Sequence, residues 1–450
     1  MPMPTATSVQ PRLLLSSRKL VHMSMLAFAF LLPILTWVQA AGCAVLALLF
    51  NVFLLPRLAV DLRKKRDQTG AASIWTGIVL YPISVLALIL LFRHHLHVAA
   101  SAWAIMALGD GMASVAGESL RGPALPWNRE KTWSGFMAFV VAGAIGAYTL
   151  TRWVTPAVPA GKALVVSALG ALVGALVESV PIRLDDNVSV PLVSGGFLFC
   201  AYMIERTAFN SNLPYLGRRI VLAAAINGAF ALLALALKTV NRSGAIAGFL
   251  LGIAIYFGYG WKSFLILLSF FVLGSLATRL GYAHKVKRGV AERRGGARSW
   301  REATANTLAG ALFSLLVITT HQEVAFLVAL IAAFSEAAGD TVSSEIGQWL
   351  SPRAYLITTF KAVPAGENGG VSVGGTLAGL VASGIVVGVG YGLGLCGPTG
   401  AAFALAAAFA GNLLDSLLGA TIERQGLVTN GIVNFAGTSF AGGLALALIL

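Results

Sequence analysis

Apolar residues run along most of the chain in long stretches, which short polar or glycine-rich segments separate. A helix of about 20 apolar residues crosses the hydrocarbon core of a bilayer, so each stretch predicts one membrane-spanning helix, and the whole pattern predicts about fifteen spans. Their predicted ranges are 20–38, 40–59, 73–92, 97–116, 133–151, 161–181, 188–208, 218–238, 243–260, 263–281, 304–320, 323–339, 373–395, 398–417 and 431–449. The predicted fold class is therefore all-α, a polytopic helical membrane protein.

Composition excludes a soluble globular protein. Hydrophobic residues make up 57% of the 450 positions and charged residues 11%, whereas ordinary soluble domains carry about 25% charged residues. The three cysteines form no CxxC pair, so they predict neither a disulfide framework nor a zinc site. Residues 1–17 lack a signal-peptide cleavage pattern and predict a short disordered cytoplasmic arm.

Lysine and arginine concentrate in two polar segments, 61–67 and 284–301. Cationic loops collect on the cytoplasmic side of a membrane. If both segments are cytoplasmic, the N-terminus and the loops beginning near 117, 182, 340 and 418 lie on that side too. We therefore interpret the net charge of +14 as a topology signal and a contact with anionic lipid rather than nucleic-acid binding. The predicted location is the inner (plasma) membrane if the source is bacterial.

The few acidic residues recur in the same order in the two halves of the chain. The pattern G-D-x-x-x-S-x-x-G occurs at 109–117 and again at 339–347. Two further alignments follow it, Glu178 with Asp415 and Asn187 with Asn430. A short pattern can recur by chance, but the shared order favours an internal duplication into two parallel halves. One extra helix near 218–238 would then keep both sites on the same face of the membrane.

Carboxylates beside membrane spans are costly, so they are functional candidates. Magnesium accepts a few carboxylate oxygens together with substrate phosphates, and phosphoryl transfer needs mostly positioning and charge neutralisation. The chain contains no G-x-x-x-x-G-K-S/T loop, so a nucleotide site would not be a P-loop. The first-half candidates are Asp110 and His22 for catalysis. For the metal they are Asp110, Glu118, Glu178, Asp185 and Asp186, and for phosphate or nucleotide they are Arg18, Lys19, Gly109, Ser114, Gly117, Lys131, Thr132 and Asn187.

Simpler interpretations stand beside some of these candidates. Asp110 can be a helix-end acid or a hydrogen-bond partner within the membrane. Arg18 and Lys19 can be interfacial anchors of the first span. His22 can be a packed, hydrogen-bonded residue rather than a catalytic base or a nucleotide contact.

Four ordered motifs in residues 10–208 resemble the phytol kinase and dolichol kinase family. They are Arg18 to His22, the motif at Asp110, Lys131 to Gly135, and Asp185 to Gly195. Ser134 departs from the family pattern, which usually has an acid there. The resemblance implies transfer of a phosphoryl group from CTP to a membrane prenol, with Mg²⁺ as cofactor. Related phosphatidate cytidylyltransferases use similar motifs.

Residues from about 218 to 450 resemble a second membrane family, whose plant members are similar to phytyl-phosphate kinases. The resemblance implies that this half adds the second phosphate, with Asp340 as a catalytic residue. The implied metal ligands are Asp340, Glu345, Glu367 and Asp415, and the implied nucleotide contacts are Gly339, Ser344, Gly366, Asn368, Gly369 and Ser372. The basic segment either helps to hold phosphates or only sets topology; its cations are Lys285, Lys287, Arg288, Arg293, Arg294, Arg298 and Arg301.

Together these resemblances imply a fused, bifunctional prenol salvage kinase. Its domains would be the arm 1–17, a prenol kinase domain 18–208, a linker span 209–240 and a prenyl-phosphate kinase domain 241–450. Its partners would be the bilayer, a prenol such as phytol or geranylgeraniol, its monophosphate and a nucleoside triphosphate, with no nucleic acid. Two alternatives remain open, a cytidylyltransferase that makes a CDP-lipid and a secondary transporter with internal repeats.

Overall fold

The computed structural model describes residues 17–58, 72–120, 122–181, 184–291, 296–351 and 353–450. The predicted arm up to residue 16, the basic segment 61–67, and Arg293 and Arg294 lie outside the described residues, as does the Arg18 side chain. The chain separates into two compact units, of which the first ends at Tyr202 and the second runs from Met203 to Leu450.

The described part of the first unit contains seven helices and one β-hairpin. The helices are α1 (Ser17–Ser24, continued by a 3-10 segment Met25–Leu31), α2 (Trp37–Leu58), α3 (Ala72–Leu91), α4 (Leu96–Leu120), α5 (Trp133–Val154), α6 (Ala160–Ser179) and α7 (Asp186–Met203). The antiparallel strands β1 (Ala124–Leu125) and β2 (Asn128–Thr132) lie between α4 and α5. The core of this unit is the middle of α4, where residues 97–107 are all buried.

The described part of the second unit contains nine helices and a three-stranded sheet. The helices are α8 (Arg206–Ala236), α9 (Arg242–Tyr259), α10 (Trp261–Arg279), α11 (Tyr282–Lys287), α12 (Trp300–Thr319), α13 (Glu323–Leu350), α14 (Val373–Gly392), α15 (Pro398–Glu423) and α16 (Asn430–Ile449). The strands β3 (Arg353–Leu356), β4 (Ala362–Pro364) and β5 (Gly370–Val371) pair antiparallel in the order β4-β3-β5. The central helix is α13, which is buried without interruption from Ala325 to Gly339.

The prediction of an all-α membrane protein is confirmed. Every predicted span coincides with a described helical segment, and twelve helices in the described residues are long and apolar enough to cross a membrane. The other three predicted spans correspond to a shorter apolar helix at 19–31, to α3, which is 20 residues long, and to α7, which begins with an aspartate and an asparagine.

The two units share a packing arrangement around the repeated motif, which supports an internal duplication. In the first unit, Thr132 Oγ1 accepts a hydrogen bond of 3.2 Å from the amide three residues further on and caps α5. A Cβ added to Gly117, the last residue of the motif, would lie 3.2 Å from that hydroxyl. In the second unit, Ser372 caps α14 in the same way, and a Cβ on Gly347 would lie 2.9 Å from its hydroxyl.

Candidate active sites

Asp110 ends a π-helical segment, Ile105–Asp110, within α4. Such segments add a residue to a helical turn and are frequent at functional sites, because they change the direction in which side chains point. Gly109 beside it has a packing role, since an added Cβ would lie 2.7 Å from a ring carbon of Phe139. The phosphate contact proposed for Gly109 from the sequence stays a prediction.

Three carboxylates from three helices meet in the first unit. Asp110 lies in α4, Glu178 at the end of α6 and Asp186 at the start of α7. One carboxylate oxygen from each lies within 4.8 Å of the others, and no other three His, Cys, Asp or Glu side chains in the described residues meet this closely. We call these three residues the carboxylate triad.

Lys131 supplies the opposing charge. Its ammonium forms an ion pair with Glu178, which is only 5% exposed, and lies 3.9 Å from Asp186 Oδ2. Burial lowers the pKa of Lys131, but the attraction of Glu178, Asp186 and Asp110 outweighs burial and raises it. Burial raises the pKa of Asp186 to about 7; Lys131 opposes this shift and the neighbouring carboxylates add to it.

The β-hairpin holds Lys131 at the triad. Trp127 Nε1 donates a hydrogen bond of 3.1 Å to Ser179 Oγ, and Asn128 Nδ2 donates one of 3.0 Å to the Ser179 carbonyl. Ser179 directly follows Glu178, so the hairpin is fastened to the helix end that carries the triad's most buried acid. The lysine and its partner are thus positioned by the same contacts.

His22 lies at the edge of this site. Its Nε2 is 3.8 Å from Asp110 Oδ2, and it is a buried nitrogen without a hydrogen-bond partner among the described residues. The ring packs edge-on against Tyr81, whose hydroxyl donates to the His22 carbonyl at 3.3 Å and accepts from Trp103 Nε1 at 2.7 Å. The imidazole is therefore held in place with its Nε2 turned towards Asp110.

The other predicted first-half residues lie outside the triad. Lys19 Nζ donates to Glu118 Oε1 at 2.6 Å, and Glu118 is 66% exposed. Asp185 Oδ1 accepts hydrogen bonds from the amide and side chain of Asn187 at 3.0 and 2.8 Å. Ser114 is half-buried in α4.

The second unit contains a polar cavity of about 980 Å³. It brings together most of the residues that sequence reasoning selected in this half. Those that line it are Asp340, Ser344, Glu345, Gly366, Glu367, Asn368, Gly369, Ser372 and Asp415. Gly339 does not line it and instead packs against Ser383 and Asn412, whose Oγ and Nδ2 would lie 2.4 and 2.7 Å from an added Cβ.

Sequence reasoning missed two acids of this cavity region. Glu423 lines the cavity and lies close enough to Asp340 and Asp415 for mutual electrostatic repulsion. It follows Asp415 at the same spacing at which Asp186 follows Glu178. This repeated spacing in the sequence identifies Glu423 as the counterpart of Asp186. The alignment of Asn187 with Asn430 does not include either acid and so did not indicate it.

Glu336 is the second missed acid. It is 1% exposed, and its charge interacts with Asp340 and Asp415. Its Oε1 has no hydrogen-bond partner among the described residues, and the same holds for Asp415 Oδ2. A Cβ on Gly437 would lie 2.5 Å from Glu336 Oε1 and 3.6 Å from the Asp415 Cβ. The sequence signal was its position one helical turn before Asp340.

Glu345 is engaged by a buried cation. Lys285 is 0% exposed, and its ammonium donates to Glu345 Oε2 at 2.5 Å and to the carbonyls of Ala277 and Thr278 at 3.2 and 2.9 Å. This predicted metal ligand is therefore half of an ion pair in the cavity wall. Glu367 likewise lies 3.4 Å from Arg424 Nη2.

Arg298 is one of the cations that line the cavity. It attracts Asp340 electrostatically. Its guanidinium carbon lies 5.2 Å from the centre of the Phe270 ring. Among the seven basic residues that sequence reasoning selected, Arg298 and Arg301 line the cavity within the described residues.

The donor sets suit a hard divalent cation. Magnesium binds oxygen at about 2.1 Å in an octahedron, so opposite ligands lie about 4.2 Å apart. The triad oxygens, within 4.8 Å of one another, approach that geometry. In the second unit the unpartnered oxygens of Glu336 and Asp415 are of the same donor type, but no three such side chains among its described residues meet as closely as the triad does.

The chain matches the family model "Integral membrane protein DUF92" over residues 225–442. Uncharacterized membrane protein sll0875 of Synechocystis sp. is 37% identical over 201 residues, which cover 43% of this chain and 78% of that protein. Protein VTE6, chloroplastic, of Arabidopsis thaliana is 36% identical over 215 residues, 46% of this chain and 65% of that protein. Probable phytol kinase 2, chloroplastic, of Glycine max is 29% identical over 159 residues, 34% of this chain and 54% of that protein.

No solved structure matches the chain. The chain is 37% identical to sll0875 over 78% of that protein's length. The family model covers most of the second unit. The chain therefore belongs to the integral membrane protein family DUF92.

Proposed function

We propose that the chain is a bifunctional prenol kinase, whose first unit phosphorylates a long-chain prenol and whose second unit phosphorylates the resulting monophosphate. The observation that carries the proposal is the carboxylate triad with Lys131 beside it. Phosphoryl transfer needs a site that binds a cation and neutralises phosphate charge, and the described residues of the first unit supply both.

In the first step the prenol oxygen attacks the terminal phosphorus of the nucleotide. A new P–O bond forms while the bond to the departing nucleoside diphosphate breaks. The hydroxyl proton needs an acceptor, and His22 Nε2 and Asp110 lie together at the site with the nitrogen unpartnered. Lys131 places one positive charge against the phosphates.

Magnesium, when bound by Asp110, Glu178 and Asp186, would neutralise phosphate charge. The chain's own contribution is to hold the three carboxylates with buried helix ends and a fastened hairpin. Such positioning is the main catalytic resource in phosphoryl transfer. Ser134, which replaces the acid of the related motif, bonds to the Thr132 hydroxyl at 3.0 Å and leaves metal binding to the triad.

The second step requires a site for a lipid monophosphate and a nucleotide together. The polar cavity has a volume of about 980 Å³, near the upper end of the 300 to ~1,000 Å³ typical of ligand pockets. Asp340, Asp415 and Glu423 repeat the order of the triad, and Arg298 lines the same cavity. The monophosphate oxygen is the nucleophile here and carries no proton that must be removed.

The substrate class is drawn from the relatives and from the fold. One relative is named a probable phytol kinase, and the chain is a multi-pass membrane protein with a polar site in each unit. A prenol and its phosphate keep an apolar tail in the bilayer, so two sites on one chain raise the local concentration of the intermediate. CTP as donor and a cytoplasmic orientation of both sites follow from the sequence resemblance and the positive loops.

The test is a product assay with purified chain in proteoliposomes, phytol or geranylgeraniol, Mg²⁺ and each nucleoside triphosphate in turn. We expect the monophosphate to appear first and the diphosphate after it, with CDP released from CTP. Release of pyrophosphate with a CDP-lipid product would instead identify a cytidylyltransferase. Solute flux without any nucleotide-dependent product would identify a transporter.

A further inference from the structure

The second unit holds an apolar pocket in addition to the polar cavity. Its volume is about 100 Å³, and it lies between α8, α9, α10 and α12. Phe230, Phe264, Leu267 and Phe270 form much of its wall, and Gly248 on α9 opens it. Gly248 is itself an exposed position of α9, so the pocket reaches the apolar surface of the unit there.

The apolar pocket and the polar cavity meet at Arg298. Arg298 and Glu302 line both spaces. The Arg298 backbone is fixed there, because its amide donates to the Thr239 carbonyl at 3.0 Å and its carbonyl accepts from the Asn241 amide at 3.0 Å. Its guanidinium packs over Phe270, a residue of the apolar wall. Arg298 thus lies where an apolar space borders an acidic one.

We propose that the apolar pocket binds the prenyl chain of the second step's substrate where the chain joins its phosphate, and that Arg298 binds that phosphate. This inference rests on the proposed function of the second unit. A phosphate is the charge that an arginine fork matches, and an apolar tail is the group that matches the phenylalanine wall. The pocket holds only the first carbons of the chain, and the rest remains among the lipids.

Gly248 provides a direct way to fill the pocket. A Cβ added there meets no atom within 4 Å, so a larger side chain enters open space without displacing backbone. Gly388 on α14 is the matched control, since its Cβ also meets nothing within 4 Å and it lines neither space. Gly248→Leu and Gly388→Leu therefore add the same group to exposed helical positions of one unit.

The activity test compares chain lengths. With phytyl monophosphate as substrate, Gly248→Leu should lower turnover to the diphosphate by about tenfold or more, because misplacing a reacting group by about 1 Å costs on the order of a hundredfold. With isopentenyl monophosphate, which has few carbons to place, turnover should match the wild type. Gly388→Leu should behave as wild type with both. Equal losses for both substrates, or no loss for either, would overturn the inference.

A binding test separates this inference from the proposed function. A phytyl monophosphate with a diazirine close to its phosphate is photolysed with the chain in proteoliposomes, and labelled residues are mapped by mass spectrometry. We expect label on residues 230–234 or 264–271, lost in Gly248→Leu and kept in Gly388→Leu. Label elsewhere, no label, or label that survives Gly248→Leu overturns the tail site. If labelling behaves as expected but no nucleotide gives a diphosphate, the proposed kinase activity fails while the lipid-phosphate site stands.

Discussion

Asp110→Asn is the sharpest perturbation of the first site. The substitution keeps the size of the side chain and removes one of the three carboxylate charges. The other two acids and Lys131 remain in place, so the loss is confined to the charge that binds the cation and to the group beside His22. The second unit is unchanged.

The expected loss follows from the distances. The triad oxygens lie within 4.8 Å of one another, so a bound cation would lie within a few ångströms of each. Two unit charges about 4 Å apart interact by about 4 kcal/mol at an effective dielectric constant of about 20, and a divalent cation interacts more strongly, so about 4 kcal/mol is a minimum for the loss. Since about 1.4 kcal/mol corresponds to a tenfold change in rate, prenol phosphorylation should fall about a thousandfold.

The assay measures each step separately. Asp110→Asn should make almost no monophosphate from phytol, yet should convert supplied phytyl monophosphate to the diphosphate at the wild-type rate. Glu130→Gln is the control, because Glu130 is an exposed acid of the same hairpin that carries Lys131. If Asp110→Asn retains more than a tenth of the first-step rate, or slows both steps equally, the assignment of the triad is refuted.

Three further predictions concern the other charged groups. Glu423→Gln should slow only the second step, so that monophosphate accumulates from phytol; unchanged product ratios would remove Glu423 from the second site. Lys285→Met should lower the Tm in detergent, because breaking a buried ion pair typically costs about 3–5 kcal/mol, and Lys285→Met/Glu345→Met should recover most of that loss; a double variant no more stable than the single one would contradict this. The pKa of Asp186 is about 7, and a carboxyl group must lose its proton to bind a metal. The affinity of the triad for Mn²⁺ should therefore rise between pH 6 and pH 8. It is measured by electron paramagnetic resonance in the Asp340→Asn variant, so that the second unit contributes less to the signal, and an affinity that does not change with pH would show that Asp186 is not a ligand.

The sequence predicted the helices well because length and apolar content alone decide whether a segment can cross a bilayer. It also selected Asp110, Glu178, Asp186 and Lys131, since charged groups are rare in this chain and fall at span ends. It did not show that Glu178 and Asp186 meet Asp110 while Asp185 and Glu118 do not. That choice depends on how α4, α6 and α7 pack, which a periodic apolar pattern leaves open.

Burial explains what sequence reasoning did not find in the second unit. Glu336 lies within an uninterrupted apolar stretch of α13, so in the sequence it resembles a single acid inside a membrane span. In the folded unit it packs against Gly411 and Gly437, which have no side chains where it lies. Glu345 matched the expected position of a metal ligand, but its partner Lys285 belongs to a segment that looked like a topology signal. Pairs separated by 60 residues become visible only after the helices are packed.

The central claim is that each unit carries its own phosphoryl-transfer site, and that the two sites act in sequence. The most direct measurement co-reconstitutes Asp110→Asn and Asp340→Asn in the same proteoliposomes with phytol, CTP and Mg²⁺. Neither variant alone should produce the diphosphate, whereas the mixture should produce it because the monophosphate diffuses in the membrane from one variant to the other. Diphosphate from either variant alone, or none from the mixture when each retains its own single step, would contradict the account.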